Sequence, residues 1–234
     1  AAGQAGASRR TGGNDIQRGS SESTVQFVNP VTIQANAGAD QTYTINADDG
    51  SGTSTQILWI RAFDNTSTLK GLEFVNGNAQ SQYGGAGGAV LVLGDLLVDN
   101  CIFTNNTAGQ SGGAMYVEGN VTIIDSVISN NEARGGGGIR SAYDVTVIGS
   151  EISDNTSTYH GGGIMAMGDV IVTDSIISGN TVTNPTGEDF LGTNIFQGGG
   201  IYAYHKVTFT DSVIEDNINT TGGNADIYEE AYPG

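Results

Sequence analysis

Apolar and polar residues alternate along five segments of the chain that align with one another without gaps. The aligned segments are residues 96–106, 121–131, 145–155, 170–180 and 207–217. Because successive side chains of a strand point to opposite faces, this alternation predicts short strands with one buried face. The residues predicted to point inward are Leu96, Val98, Val121, Ile123, Val145, Val147, Val170, Val172, Val207 and Phe209.

Three more columns repeat at fixed positions within the same segments. The first holds a small residue, namely Cys101, Ser126, Ser150, Ser175 and Ser212. The second holds a large apolar residue, namely Phe103, Ile128, Ile152, Ile177 and Ile214. The third holds an asparagine, namely Asn106, Asn131, Asn155, Asn180 and Asn217. Stacked asparagine amides can hydrogen-bond from one repeat to the next, so the third column predicts a ladder of side chains.

A Gly-Gly-(Ala/Gly)-apolar motif accompanies these columns and sets the period. It occurs at residues 87–90, 112–115, 136–139, 161–164 and 198–201, with apolar residues 25, 24, 25 and 37 positions apart. A fixed period of this size is typical of a solenoid, and glycine permits sharp corners and close approach of neighbouring coils. The prediction is an all-β, right-handed parallel β-helix over residues 24–234, with coils of 24–25 residues. Residues 57–60 and 68–78 fit as separate, irregular earlier coils.

The last interval is 12 residues longer than its neighbours and predicts an inserted loop at residues 181–197. Insertions in solenoids map to loops on one face, often the binding face. The loop carries an apolar group of four residues, Phe190, Leu191, Ile195 and Phe196. A lid over a neighbouring subunit and simple drift of the repeat are the alternatives.

Charge divides the chain into a small basic tail and an acidic body. The net charge is −17, from 8 basic and 25 acidic residues, whereas the polar tail of residues 1–23 carries Arg9, Arg10 and Arg18. Nucleic acid is not expected as a partner, because phosphate binding needs clustered Lys and Arg. No apolar run approaches the roughly 20 residues that cross a membrane. The start at Ala1, without Met, favours a mature protein after signal cleavage over a shortened chain.

The paired motifs resemble a known family. Gly87-Gly88-Ala89-Val90 followed by Phe103-Thr104-Asn105-Asn106 is similar to the repeats of the polymorphic outer-membrane proteins and their bacterial and archaeal surface relatives. Later coils replace the Phe by Ile and the Ala by Gly. The resemblance implies a secreted or surface-displayed β-helix, often adhesive, and it supplies no catalytic residues.

The candidates for chemistry are few. Asp125, Asp174 and Asp211 share one column, and Asp174 and Asp211 fall on adjacent coils, where a divalent cation such as calcium could bridge them. A solvated turn column explains the same pattern, so no catalytic residue, cofactor or firm metal site is predicted. Tyr116 and Tyr202 are candidates for a sugar-stacking strip, although Arg140 and Met165 interrupt the column. His160, His205 and Cys101 are interpreted as surface or core residues.

Three functions remain in view. The first is a secreted or cell-surface structural subunit, not an enzyme, that assembles head to tail into an extracellular filament, because solenoid ends expose strand edges. The residues assigned to that assembly are Arg9, Arg10, Arg18, Val25, Phe27, Ile227 and Tyr228. The second is a monomeric adhesin or carbohydrate-binding β-helix. The third is a polysaccharide lyase or glycoside hydrolase.

Overall fold

Short parallel strands wind into a solenoid. The computed structural model describes residues 17–18, 24–35, 43–47, 55–80, 82–183, 198–220 and 225–229. Every strand pair in these ranges is parallel except the pair of Gln17–Arg18 with Val25–Phe27. The all-β parallel β-helix predicted from the repeat is therefore confirmed.

Each coil contributes strands to four ladders, numbered here in the order in which the chain enters them. Ladder 1 contains Gln17–Arg18, Val25–Phe27, the first parts of Leu58–Lys70 and Val90–Asp99, Met115–Val117, Ile139–Ser141, Ile164–Ala166, Ile201–Ala203 and Ile227–Glu229. Ladder 2 contains Thr32–Gln34, the second parts of the same two long strands, Val121–Ile124, Val145–Ile148, Val170–Thr173 and Val207–Thr210. The two long strands join ladders 1 and 2 into one sheet.

The other two ladders are separate sheets. Ladder 3 contains Tyr43–Asn46, Leu72–Val75, Ile102–Thr104, Val127–Ser129, Glu151–Ser153, Ile176–Ser178 and Val213–Glu215. Ladder 4 contains Asn78–Ala79, Thr107–Ala108, Glu132–Gly135, Thr156–His160, Thr181–Val182 and Ile218–Asn219. In the described ranges the helical structure is a single 3₁₀ turn, Gln82–Gly85, and no helix there is long and apolar enough to span a bilayer.

Six coils follow the irregular strands at the N-terminal end. Residues 57–60 and 68–78, predicted as separate coils, lie in one coil, because Leu58–Lys70 is a single strand. The strand contains extra residues between Arg61 and Thr66, where its register against Val90–Asp99 shifts. These residues interrupt the regular pattern, so the sequence does not show one long strand. The predicted insertion begins with a strand, Thr181–Val182. Phe190, Leu191, Ile195 and Phe196 lie outside the described residues.

The core is a continuous apolar column inside the coils, as the alternation predicts. The inward residues of ladder 2, from Leu96 to Val207, are buried. Phe74 and Phe103 stack in ladder 3 with ring centroids 4.7 Å apart. The alternation predicts that Phe209 is an inward, buried residue. The prediction of burial is wrong, since Phe209 is 54% exposed. Ladder 2 has no described strand beyond Val207–Thr210, so none of the described strands covers the ring from the next coil.

Two of the predicted columns form polar ladders. The Nδ2 of Asn131 donates to Oδ1 of Asn155 at 2.9 Å, and the same bond joins each asparagine of the column to the next. The series ends at Asp226, which accepts from Asn217 at 3.0 Å. In the serine column, the hydroxyl of Ser150 accepts from the backbone N–H of Ser126 at 3.0 Å and donates to its own coil, to the carbonyl of Ile148. Both columns satisfy buried backbone groups at the corners.

Left-handed backbone explains the composition of the corners. Gly112 begins its Gly-Gly pair at φ 67°, and a Cβ on the second glycine, Gly113, would lie 2.1 Å from the carbonyl oxygen of Gly137. The first glycine therefore supplies the turn and the second supplies close contact between coils. The Asp and Asn residues at the other corners also have positive φ, including Asn100, Asp125, Asn130, Asp154, Asp174, Asp211 and Asp216.

Candidate functional site

An open groove runs along the outer face of ladder 1 near the N-terminal end of the solenoid. Its volume is about 520 Å³. The floor consists of Trp59, Leu91, Leu93, Tyr116 and Arg140, and the rim consists of Gly84, Ala86, Gln110, Ser111 and Glu118. Aromatic, guanidinium, amide, hydroxyl and carboxylate groups therefore meet in one depression.

Strand register produces the floor. Trp59 pairs with Leu91, Leu91 with Tyr116, and Tyr116 with Arg140, so these residues form one outward column on four successive coils. Their strand neighbours point inward and are buried. Coils of a parallel solenoid are spaced by about 4.8 Å, which places Trp59 and Tyr116 roughly 10 Å apart along the axis. The column continues through Met165, Tyr202 and Tyr228.

A longer turn builds one wall of the groove. From Ala79 to Val90 the chain takes 11 residues, where the matching path from Ala108 to Met115 takes 7. The additional residues include the 3₁₀ turn. The N–H of Gln110 donates to the carbonyl of Gly85 at 2.7 Å, and Ala86 forms a β-bridge with Ser111. Backbone hydrogen bonds thus hold the wall against the neighbouring coil.

Arginine side chains lie on the aromatic rings of this face. The guanidinium carbon of Arg61 is 3.9 Å from the ring centroid of Trp59, and that of Arg140 is 4.9 Å from the centroid of Tyr116. Such cation–π contacts contribute about 0.5–1 kcal/mol each at exposed sites. Arg140, which the sequence pattern suggests is an interruption of the aromatic column, instead packs on the ring beside it.

The C-terminal half of the column is not open in the same way. Tyr202 is only 8% exposed, and its ring lies between His160 and Tyr228, at centroid distances of 4.6 and 5.3 Å. The prediction that Tyr202 belongs to an exposed sugar-stacking strip is therefore wrong. Tyr116 is half-buried and lines the groove.

The aspartate column lies at the corner between ladders 2 and 3, away from the groove. Asp174 and Asp211 are exposed there on adjacent coils, with φ of 50° and 49°. Left-handed backbone by itself favours Asp, Asn or Gly at this corner. Across the described parts of the chain, no three His, Cys, Asp or Glu side chains are grouped to hold a metal ion.

The residues assigned to assembly have different positions. Phe27 packs in the core of its own chain, and its strand is paired on both edges, antiparallel with Gln17–Arg18 and parallel with Leu58–Ile60. Arg18 thus lies in a strand that pairs within the chain. Val25 is the first residue of Phe27's strand. Arg9 and Arg10 lie outside the described residues.

Ile227 and Tyr228 form the last described strand of ladder 1, which pairs on one side with Ile201–Ala203. His205 is exposed at a turn and its Nδ1 lies 4.0 Å from an oxygen of Asp169. Cys101 is buried, and burial raises the pKa of its thiol, which keeps it in the unreactive neutral form.

The sequence pattern predicts Tyr116 but misses Trp59, Arg61, Glu118 and the role of Arg140. A sequence signal is present, because residues 57–60 and 89–92 are both short runs of apolar residues. Two local insertions stretch the interval from Trp59 to Leu91 to 32 residues, so a search at the regular period does not align them.

Comparison with known proteins identifies the family. A family model described as right handed beta helix region matches residues 58–229. Since the match covers well over half of the chain, the chain belongs to the right-handed β-helix family. Searches of the curated proteins and of the solved structures returned no match. Membership in this family establishes the fold and leaves the activity open.

Proposed function

We propose that this chain is a carbohydrate-binding β-helix of the secreted or cell-surface type, and that it binds glycans in the groove on ladder 1. The observation that carries the proposal is that two aromatic side chains, Trp59 and Tyr116, lie on the floor of an open groove, each with an arginine over one face of its ring. Apolar faces of sugars pack on aromatic rings, while the polar rim supplies donors and acceptors that fix orientation.

Binding without catalysis is favoured by the carboxylates of the groove. Glycoside hydrolysis generally uses two carboxylates about 5–10 Å apart. Among the described residues that line the groove, Glu118 is the single carboxylate. The resemblance of the Gly87–Val90 and Phe103–Asn106 motifs to surface-protein repeats supports display outside the cell.

Binding to a panel of soluble polysaccharides, measured by affinity electrophoresis and calorimetry, tests this proposal. Trp59→Ala and Tyr116→Ala should each weaken binding by about tenfold or more, which corresponds to about 1.4 kcal/mol. Tyr143→Ala is the matched control, because Tyr143 is 60% exposed and lies outside the groove. Absence of binding to every polysaccharide, or unchanged binding by the Trp59/Tyr116 double variant, would refute the proposal.

A second candidate function, a head-to-tail filament subunit, is favoured by the C-terminal end. The strands Val207–Thr210, Val213–Glu215 and Ile218–Asn219 each pair with one described neighbour only. Phe209 and Ile218 are more than half exposed at this end. Open ladder edges can pair with another copy, and a head-to-tail contact that does not close gives a filament. We propose the basic N-terminal segment, with Arg9 and Arg10, as the partner of this acidic body.

Negative-stain electron microscopy over a range of protein concentrations tests the assembly. Wild-type protein should form fibres, and deletion of residues 1–16, which leaves the strand Gln17–Arg18 in place, should give single short rods. Phe209→Ser should also shorten fibres, whereas Phe63→Ser, an exposed residue on the bulged strand, should not. Single rods from wild-type protein at every concentration, or normal fibres from the deletion, would contradict this function.

A further inference from the structure

We propose that Asp226 and Glu229 form a self-cap, an autoinhibitory contact that keeps the C-terminal edge of the solenoid closed to a second copy of the chain. The inference rests on the head-to-tail assembly proposed above and concerns the regulation of that contact. It starts from two carboxylates of the last described coil, which stand where the five preceding coils have small or apolar residues.

The sequence departs from its own repeat at these two positions. The register pairs Ile201 with Ile227 and Ala203 with Glu229, so Asp226 stands where the glycine motif has its third residue. The earlier residues of these two columns are all buried, namely Ala89, Ala114, Gly138, Gly163 and Gly200 in one, and Val92, Val117, Ser141, Ala166 and Ala203 in the other. Two carboxylates thus hold inward positions at the last described strand of ladder 1.

Asp226 takes the place of the next asparagine in the side-chain ladder. In the preceding coil, the N–H and the Nδ2 of Asn180 donate to Oδ1 of Asn217 at 3.0 and 2.9 Å. Asn217 makes the same two donations to Oδ1 of Asp226, at 3.3 and 3.0 Å. A carboxylate has no donor to offer to a following coil, so the series of amide hydrogen bonds ends at Asp226.

Glu229 takes the place of a backbone carbonyl in a following coil. The N–H of Val170 donates to the carbonyl of Lys206 at 2.8 Å, which is the regular contact between coils at the start of ladder 2. Val207 is the partner of Val170 one coil later, and its N–H donates to Oε1 of Glu229 at 2.7 Å. A side chain therefore supplies the acceptor that the main chain supplies in the earlier coils.

The two contacts together restrict access to the C-terminal edge. One reaches the first residue of the ladder 2 edge strand, and the other reaches Asn217, between the edge strands of ladders 3 and 4. A coil stacked on this end would bury both carboxylates or displace them, and inward-pointing charges are one of the means by which proteins prevent edge pairing. A second copy therefore competes with the self-cap for Val207 and Asn217.

Hydrogen exchange of single amides, followed by NMR on the full chain, tests the contacts of the self-cap. Glu229→Ala, which copies the residue at the same position of the preceding coil, should make the Val207 amide exchange at least about tenfold faster. Asp226→Ala should have the same effect on the Asn217 amide. Asp226→Asn and Glu229→Gln each keep an acceptor oxygen, so both amides should stay within about threefold of the wild-type rate.

The concentration dependence of assembly tests the autoinhibition. Sedimentation and negative-stain electron microscopy measure the concentration at which half of the protein is in end-to-end assemblies. This concentration should be at least about tenfold lower for the Asp226→Ala/Glu229→Ala double variant than for wild type, because no contact has to be displaced first. The Asp125→Asn/Glu132→Gln double variant is the matched control. It removes two negative charges from exposed positions in the middle of the solenoid and should assemble as the wild type does.

The outcomes distinguish the self-cap from the assembly on which it rests. Assembly of wild type and the alanine double variant at the same concentration overturns the self-cap and leaves the filament function in place. Equal assembly of the double variant and the charge control, or unchanged exchange in both alanine variants, also overturns the self-cap. Fibres from the double variant alone support the self-cap and contradict a filament of the wild-type chain. Absence of fibres from every protein overturns both.

Discussion

A single asparagine in each coil satisfies several buried groups at once. The two N–H donors of the Asn131 amide are shared among the carbonyl oxygens of Phe103 and Ser129 and Oδ1 of Asn155, while its own Oδ1 accepts from the N–H and the amide of Asn106. Aspartate has the same shape but no donor, and leucine has neither group. The chemistry of the corner therefore requires an amide.

Asn131→Asp is expected to lower the free energy of unfolding by about 3 kcal/mol, because it removes both N–H donors of the amide, which three acceptor oxygens share, and places a charge among those oxygens. Asn130→Asp is the matched control. Asn130 is exposed, its φ of 56° suits either residue, and we expect a change within about 0.5 kcal/mol. Urea unfolding followed by circular dichroism measures both variants. Equal stability of the two would show that the amide ladder contributes nothing.

At the scale of the strand and its corner, the distance between neighbouring coils determines which residues fit. A Cβ on Gly137 would lie 2.3 Å from the carbonyl oxygen of Gly162 and 2.5 Å from that of Thr156. A Cβ on Gly135 would meet only the sulfur of Met165, at 3.0 Å, with Ser111 Oγ farther away. The Thr156 oxygen belongs to a paired strand and the Gly162 oxygen accepts from the N–H of Gly138, so both are held in place, whereas a methionine side chain can move.

Gly137→Ala should therefore lower the free energy of unfolding by about 4 kcal/mol or prevent folding, and Gly135→Ala should change it by about 1 kcal/mol or less. Thermal unfolding and the soluble yield of the two proteins measure the difference. A Gly137→Ala protein as stable as the Gly135→Ala protein would mean that the coils separate easily at this corner.

At the scale of the whole molecule, the solenoid is most completely paired in its middle. Val145–Ile148 has ladder neighbours on both sides, whereas Val207–Thr210 has one among the described residues. In a parallel ladder the N–H groups of a strand alternate between its two neighbours, so an edge strand leaves some of them without partners. Stability is expected to fall from the centre towards this end.

Hydrogen exchange followed by mass spectrometry should show this gradient. Amides of Val145–Ile148 should exchange at least about tenfold more slowly than those of Val207–Thr210, because opening of the terminal coil disrupts fewer contacts. The comparison is internal, since both strands belong to ladder 2. Uniform protection along the ladder would contradict it and would indicate that the C-terminal edge is covered in solution, as the filament function predicts.

Much of the fold could be predicted from the sequence, because the pattern reports local geometry. Period-two alternation located the strands, and the serine and asparagine columns predicted which residues stack. Phe209 shows the limit. Its pattern is that of an inward residue, but burial also requires a coil on its far side, and the alternation of one segment contains no information about its neighbour.

The groove was harder to predict because it depends on alignment between irregular coils. Trp59 and Tyr116 face the same depression only once the residues inserted after Arg61 and before Val90 are placed correctly. The contact of Arg140 with Tyr116 is a side-chain arrangement, and column position alone does not distinguish stacking from interruption.

The longer turn that forms one wall of the groove also affects folding, because it helps determine which segments of the chain align on neighbouring coils. Residues 121–131 and 145–155 are near-equivalent, so a shift by one whole coil would preserve their alternation and both polar ladders. Such a misthreaded state would cost little in the regular coils. The four additional residues before Val90 and the long interval before Ile201 cannot be matched after the shift. The irregular coils thus make one alignment of the chain unique, because every shifted alignment leaves their additional residues without a match.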